Sequence, residues 1–116
     1  MKIKLNENEE LELVYSFRSN IYFEQIQGKN IDFSNFSSND LITLFYCVFL
    51  SSLQKAKKPT ISMMDFMDII DDNGGDKCIV DFSNWYVGIL QNQFEVMNSM
   101  SDDKDTKSKP VSKKKN

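Results

Sequence analysis

Three aspartates are spaced so that one helical face could present them together. Asp65, Asp68 and Asp72 stand at positions i, i+3 and i+7, and a hard cation accepts carboxylate ligands of this kind. The same spacing is typical of a solvated acidic face opposite an apolar stripe, and we favour that interpretation. A calcium-binding loop of about twelve residues counted from Asp71 would end on Phe82, where a glutamate is required. The sequence therefore predicts no metal site.

The other residue types that carry out catalysis are scarce. The sequence has no histidine, which removes the commonest general base and most zinc sites. Its two cysteines, Cys47 and Cys78, lie in apolar stretches, so we expect buried, unpaired thiols. Gly28 and Lys29 lack the spacing of a phosphate-binding loop. These observations predict a non-enzymatic binding protein that uses no cofactor.

Length and charge restrict the number of domains and the kinds of partner that this protein can have. A chain of 116 residues is long enough for one domain. The net charge is −3, and residues 101–116 carry six lysines against three aspartates, so the first hundred residues are strongly acidic. An acidic body is a poor match for phosphates, and we expect no nucleic-acid partner. The N-terminus has no apolar signal segment, and the run Leu41–Leu50 is about half the ~20 residues of a membrane span. We expect a soluble, cytoplasmic protein with no membrane partner.

Polar and apolar residues alternate at the N-terminus with the period of a β-strand. Ile3 and Leu5 alternate with lysines, and the polar run after them indicates a turn. Leu11 and Leu13 then repeat the alternation. We predict a β-hairpin over about residues 2–15 whose apolar face packs on helices, because two strands alone are marginally stable.

The first predicted helix covers residues 16–27. Ser16 is a suitable N-cap, and Gly28 suits the left-handed residue that ends a helix. Three apolar residues at near-helical spacing form its predicted apolar face: Phe17, Ile21 and Ile26.

Three further helices are predicted, over about residues 39–55, 62–72 and 77–100. The first of these is apolar almost all round, which is typical of a central helix or of one that a partner partly covers. Ser38 or Asn39 is its predicted cap. The cap of the next helix is predicted among the residues Thr60 and Ser62.

These elements define the predicted architecture. The fold class is α+β and mainly α, with an N-terminal β-hairpin packed on about four helices. We predict a single globular domain over residues 1–100, followed by a disordered lysine-rich tail over residues 101–116, because the tail has too few apolar residues to offset its ordering entropy.

Methionine and phenylalanine are concentrated in the last two helices. Flexible thioethers repack easily, so methionine-rich surfaces are found on proteins that bind varied apolar partners. Ordinary core filling is the alternative, and exposure as one patch would favour binding. The candidate partner-binding residues are Met63, Met64, Phe66, Met67, Phe94, Met97 and Met100.

The order of these parts is similar to that of a known family. A short hairpin leads into YSFRSNIYFEQIQGK at residues 15–29, and a loop then leads into the apolar helix NDLITLFYCVFL at residues 39–50. This arrangement resembles the tail assembly chaperones of long-tailed bacteriophages. The resemblance implies a small, mostly helical protein of the host cytoplasm that binds the tape measure protein or tail tube subunits during tail assembly and then leaves. It also implies no catalytic residues, and it leaves open whether the protein forms a homo-oligomer.

The resemblance raises one further expectation. In many members of that group a ribosomal frameshift near the end of the gene produces a second, longer protein, and an A-rich slippery site could encode Lys113, Lys114 and Lys115.

Two other functions are also compatible with a sequence that has no recognisable catalytic or metal-binding residues. One is a small phage or mobile-element protein that regulates or inhibits a host protein, and the other is a minor structural protein of the virion.

Overall fold

The computed structural model describes the backbone of residues 1–105 and the side chains of residues 1–95. In chain order its elements are β1 (Lys2–Asn6), β2 (Glu9–Glu12), α1 (Phe17–Gln27), a 3-10 turn (Phe33–Asn35), α2 (Ser38–Lys55), α3 (Met63–Asp72) and α4 (Asp76–Asp105). The predicted fold class, an N-terminal hairpin with four helices, is confirmed. Helix α4 continues five residues beyond the predicted end at residue 100, and the rest of the predicted tail lies outside the described residues.

The chain divides into two compact units, Met1–Trp85 and Tyr86–Asn116. The first contains the hairpin, helices α1 to α3 and the start of α4, and the second begins within α4. The single domain expected over residues 1–100 stays a prediction. Within the described part of the chain, no helix combines the length and the apolar character needed to cross a bilayer.

The hairpin presents one apolar face and one charged face. Ile3 pairs with Leu11, and both side chains are buried. On the opposite face Lys2 pairs with Glu12, and opposite charges across a strand pair stabilise it modestly. The second strand ends at Glu12, three residues before the predicted end of the hairpin.

Asn73 joins the hairpin to the end of α3. Its Nδ2 donates to the carbonyl oxygen of Lys4 at 2.8 Å, and its Oδ1 accepts from the Lys4 N–H at 2.9 Å. The same Nδ2 donates to the carbonyl oxygen of Ile69 at 2.8 Å, in the last turn of α3. The Asn73 amide therefore forms hydrogen bonds with the Lys4 N–H and carbonyl oxygen, as a neighbouring strand would, and these bonds hold the hairpin against the helices.

The predicted inward face of α1 is wrong. Phe17, Ile21 and Ile26 are 74%, 44% and 48% exposed, whereas Ser19 and Phe23 are buried. The Ser19 hydroxyl donates a hydrogen bond to the Ser16 carbonyl oxygen at 2.6 Å, so it has a partner although it is buried away from water. Phe23 fills the space instead, and its ring stacks on Phe36 from the following loop with centroids 6.2 Å apart. One small and one large residue, at i and i+4, bring the helix close to the core.

The residues that cap or end α1 and α3 are among those predicted, whereas the cap of α2 lies one position earlier. Ser16 and Ser62 cap α1 and α3, and Gly28 ends α1 at φ 71°, as predicted. The cap of α2 is Ser37, one residue before the predicted candidates. Its Oγ accepts from the Asp40 N–H while the Asp40 carboxylate accepts from the Ser37 N–H, so both residues form a capping box.

Aromatic rings from three helices form the core around α2. Phe45 of α2 stacks on Phe82 of α4 with centroids 4.2 Å apart and ring planes 4° from parallel. Phe66 of α3 meets Phe45 and Phe49 edge-on at 5.2 and 5.3 Å. Offset stacked and edge-on pairs are the favourable ring geometries, so the cluster specifies how the three helices pack.

The turn that follows α2 contains a residue with a strained backbone, and a stabilising substitution follows from it. Lys57 has φ 61°, a left-handed conformation that disfavours residues with a Cβ. We expect Lys57→Gly to raise the free energy of unfolding by about 0.5–1 kcal/mol, measured by urea denaturation, because glycine removes that strain. The control is Lys55→Gly at the last residue of α2, where the backbone is helical and glycine should lower stability by up to about 1 kcal/mol. Equal effects of the two variants would contradict this explanation.

The Asp40 carboxylate predicts a loss of stability in acid. It accepts from the Ser37 N–H at 3.1 Å, from Lys29 Nζ at 3.1 Å and from Gln27 Nε2 at 2.7 Å. These bonds lower the pKa of Asp40 from 3.8 to about 2, with the Ser37 N–H as the largest cause. Because the folded-state pKa is depressed, the contribution is present above the ordinary pKa and is lost as the pH falls through the folded value.

We therefore expect the stability difference between the wild type and Asp40→Asn to be constant above about pH 5 and to shrink as the pH falls from about 4 to 2. Urea denaturation across this range measures it. Asp68→Asn, on the exposed face of α3, is the control and leaves the Asp40 bonds intact. A stability difference that does not change with pH would show that the Asp40 charge is not involved.

Candidate partner-binding cleft

An apolar cleft of about 160 Å³ opens where α2, α3 and the start of α4 meet. It lies entirely within the first unit. Its lining residues are Ile42, Phe45, Phe66, Met67, Ile70, Asp71, Gly75, Asp76 and Ile79. The floor is therefore apolar, and its two charged lining residues are both acidic.

The sequence of α3 explains how the cleft is built. Phe66 and Ile70, at i and i+4, form the buried face of the helix. Met67 and Asp71 repeat that spacing one residue further on, so they stand beside the buried face and line the cleft. The turn that follows contains Gly74 and Gly75, both with positive φ, which lets α4 begin four residues after α3 ends.

The acidic side of the cleft comes from both sides of this turn. Asp71 is in the last turn of α3, and a Cβ built on Gly75 would lie 3.8 Å from its Oδ1, so the carboxylate lies next to the turn. Asp76 is in the first turn of α4, where a negative charge suits the helix dipole. Among the residues whose side chains are described, neither carboxylate forms a salt bridge with a lysine or arginine.

The candidate partner-binding residues of α3 differ in how much of each side chain is exposed. Met64 and Met67 are 76% and 47% exposed, and Met63 is half-buried. Phe66 is 1% exposed within the aromatic core, although it also lines the cleft, so its partner-binding role stays a prediction. The sequence pattern grouped four neighbouring residues, but the helix turns them toward different environments.

The remaining candidates belong to the second unit. Phe94 of α4 is 65% exposed. Met97 and Met100 lie in α4, but their side chains are outside the described residues. The predicted partner-binding role of these three residues stays a prediction.

Two other clefts lie beside the hairpin. One, of about 470 Å³, is lined mainly by polar residues around Lys4 and Asn73. The other, of about 210 Å³, lies between the hairpin and the α2–α3 loop and includes both Glu9 and Lys58. Lys58 Nζ is 2.7 Å from Glu9 Oε2, so an ion pair already bridges this second cleft. The α2–α3–α4 cleft combines an apolar floor with the half-exposed Met67 and with two carboxylates that form no salt bridge to any residue whose side chain is described.

The two thiols are positioned as core residues. Cys47 is 0% and Cys78 is 3% exposed, and both are free. Burial raises the pKa of Cys47 to about 12 and also raises that of Cys78. A thiol that stays protonated is a weak nucleophile, so neither supports covalent catalysis. Within the described residues, no three acidic or cysteine side chains are grouped to hold a metal ion.

This burial predicts slow thiol modification. At pH 8 we expect Ellman's reagent to label the native protein at least about a thousandfold more slowly than the urea-unfolded chain, because reaction must wait for opening of the core. The single variants Cys47→Ala and Cys78→Ala identify which thiol reacts. Labelling of either thiol in the native protein at the rate of the unfolded chain would contradict the burial described above.

Comparisons with protein families, with curated proteins and with solved structures find no match to this chain. The proposal that follows therefore rests on the residues of the cleft and on the resemblance in the order of its elements.

Proposed function

We propose that the protein is a non-enzymatic binding protein, a tail assembly chaperone of a long-tailed bacteriophage, which holds the tape measure protein, and in addition or instead tail tube subunits, in the host cytoplasm. The observation that carries the proposal is the open apolar cleft between α2, α3 and α4, which the half-exposed Met67 lines. Met64, three residues earlier on the same helix, is also exposed. An exposed apolar surface next to a cleft is a typical protein-binding site.

The mechanism is physical. A tape measure protein is a long amphipathic helix whose apolar stripe would associate with other apolar surfaces if left uncovered. A groove between helices can hold part of such a stripe, as in other helix-in-groove complexes. Methionine side chains adapt to different apolar residues, which suits a protein that binds many sites along one client.

The small size of the cleft suits a transient interaction. A space of about 160 Å³ covers a single client side chain, so each site contributes a limited area. Modest affinity per site allows the client to be released to the tube subunits as the tail is built. Many copies bound along one client would still cover its stripe.

The test uses two pairs of residues with similar exposure. Met64→Ser with Met67→Ser removes the exposed pair on α3, of which Met67 lines the cleft, and Phe17→Ser with Ile21→Ser removes a pair on α1 that is 74% and 44% exposed. Each variant is co-expressed with the protein encoded by the long reading frame downstream of its gene, and complexes are counted by native mass spectrometry. We expect many copies per client, at least tenfold weaker binding for the methionine pair, and unchanged binding for the α1 pair.

Several results would overturn the proposal. Unchanged binding by the methionine variant would exclude the cleft. A small complex of fixed stoichiometry with a host protein would indicate the regulatory or inhibitory function instead, and recovery of the protein from purified virions would indicate a structural part. Mass analysis of the products of the native gene also tests for the longer frameshifted protein. Surface substitutions usually change stability by less than about 0.5 kcal/mol, so the binding results report on contact rather than on folding.

A further inference from the structure

We infer that the cleft selects a helical client segment in which one apolar anchor residue is followed, about one turn later, by lysine or arginine. This inference rests on the proposed function and specifies the chemistry of its partner. The anchor would occupy the apolar floor, and the cationic group would pair with Asp71 or Asp76 at the rim.

The volume of the cleft sets the size of the anchor. An apolar cavity of about 150 Å³ accommodates a benzene molecule. A cleft of about 160 Å³ therefore takes one side chain of the size of leucine, methionine or phenylalanine. Met67 lines this space and is 47% exposed, so it can cover the anchor from the solvent side.

The charge around the cleft sets the second requirement. Residues 63–85 contain six aspartates and one lysine, Lys77. Lys77 Nζ is 3.2 Å from Asp81 Oδ2, so this cation is already paired. Asp71 and Asp76 both line the cleft, and a client that brings a positive charge next to its anchor would be attracted to them.

The same charges exclude other occupants. A second copy of this chain that approached through the same face would bring a second acidic surface to the cleft, and like charges brought together cost free energy. Nucleic acid carries the same sign of charge as the rim. On a client helix, residues three or four positions apart lie on one face, so an anchor and a cation at this spacing would reach the floor and the rim together.

The experiment uses two designed helical peptides, each about 16 residues long and labelled with fluorescein. Both carry one leucine anchor, followed four residues later by lysine in one peptide and by glutamate in the other. Fluorescence anisotropy measures their affinities for the full chain. We expect the lysine peptide to bind about tenfold more tightly, and this preference to fall as salt is raised to about 0.5 M, because the contacts are at the surface.

Charge reversal at the rim then locates the effect. Asp71→Lys should reverse the preference, so that the glutamate peptide binds more tightly. Asp68→Lys changes the net charge equally on the exposed face of α3 without lining the cleft, and it should leave the preference within about threefold of the wild type. Methyl chemical shifts of Ile42 and Ile79, which line the cleft, report whether the peptide occupies it.

The outcomes separate this inference from the proposed function. If both peptides bind equally and Met67→Ser weakens both, the cleft binds apolar clients without selecting charge, and the inference is wrong while the proposed function stands. An equal effect of Asp68→Lys and Asp71→Lys would show a general charge effect and overturn the assignment to the rim. Binding of neither peptide below about 1 mM would also overturn the inference, whereas the co-expression experiment judges the proposed function independently.

Discussion

Helix α2 is apolar on nearly all of its circumference, and the first unit of the chain is arranged to keep it from water. The segment that follows the hairpin is held to α2 where Ser52 Oγ accepts from the Val14 N–H at 2.9 Å. The same hydroxyl donates to the Val48 carbonyl oxygen at 2.8 Å, so a buried polar side chain is satisfied while the chain passes close to it. Phe66 and Phe82 cover other parts of its surface from α3 and α4. Burial of one helix thus constrains where the segment after the hairpin, α3 and the start of α4 can lie.

The cleft is a consequence of the way in which these rings pack. Aromatic rings are rigid and keep defined relative orientations, so they cannot spread to fill an irregular space at the edge of a core. Phe66 is directed into the cluster, and the residues beside it on α3 are then left at its margin. Because the turn with Gly74 and Gly75 is short, α4 begins immediately next to that margin. Core packing therefore creates a small apolar opening whose rim consists of residues that cannot themselves be buried.

Local signals in the sequence predicted most of the elements, and the errors occur where tertiary packing decides. Alternation predicted the hairpin, and the capping residues Ser16 and Ser62 and the terminating Gly28 were identified from their chemistry. The inward face of α1 was not, because apolar size favoured Phe17 and Ile21 whereas close packing required Ser19 and Phe23.

The candidate site shows the same limit. Met64, Phe66 and Met67 are all large apolar residues. Their angular positions around α3 decide which of them is buried in the core and which is on the surface. The phase of a helix depends on what packs against it. The left-handed Lys57 had no signal of its own, since glycine is the residue expected there. The bonds between Asn73 and Lys4 join residues 69 positions apart, so they follow from the tertiary fold and no local pattern indicates them.

Charge and exposure at the cleft have opposing effects on association. Exposed methionines beside an apolar opening favour contact with any apolar surface, including that of another copy. The aspartates around the opening act against that contact, because two copies approaching through this face bring like charges within the Debye length of about 8 Å at physiological ionic strength. For a partner with a positive charge next to its apolar residue, the apolar contact and the charge interaction with the aspartates are both favourable. Under the proposed function, such a surface would distinguish a client from a second copy of the chain by the sign of the charge beside the apolar contact, even where the two bury the same apolar area.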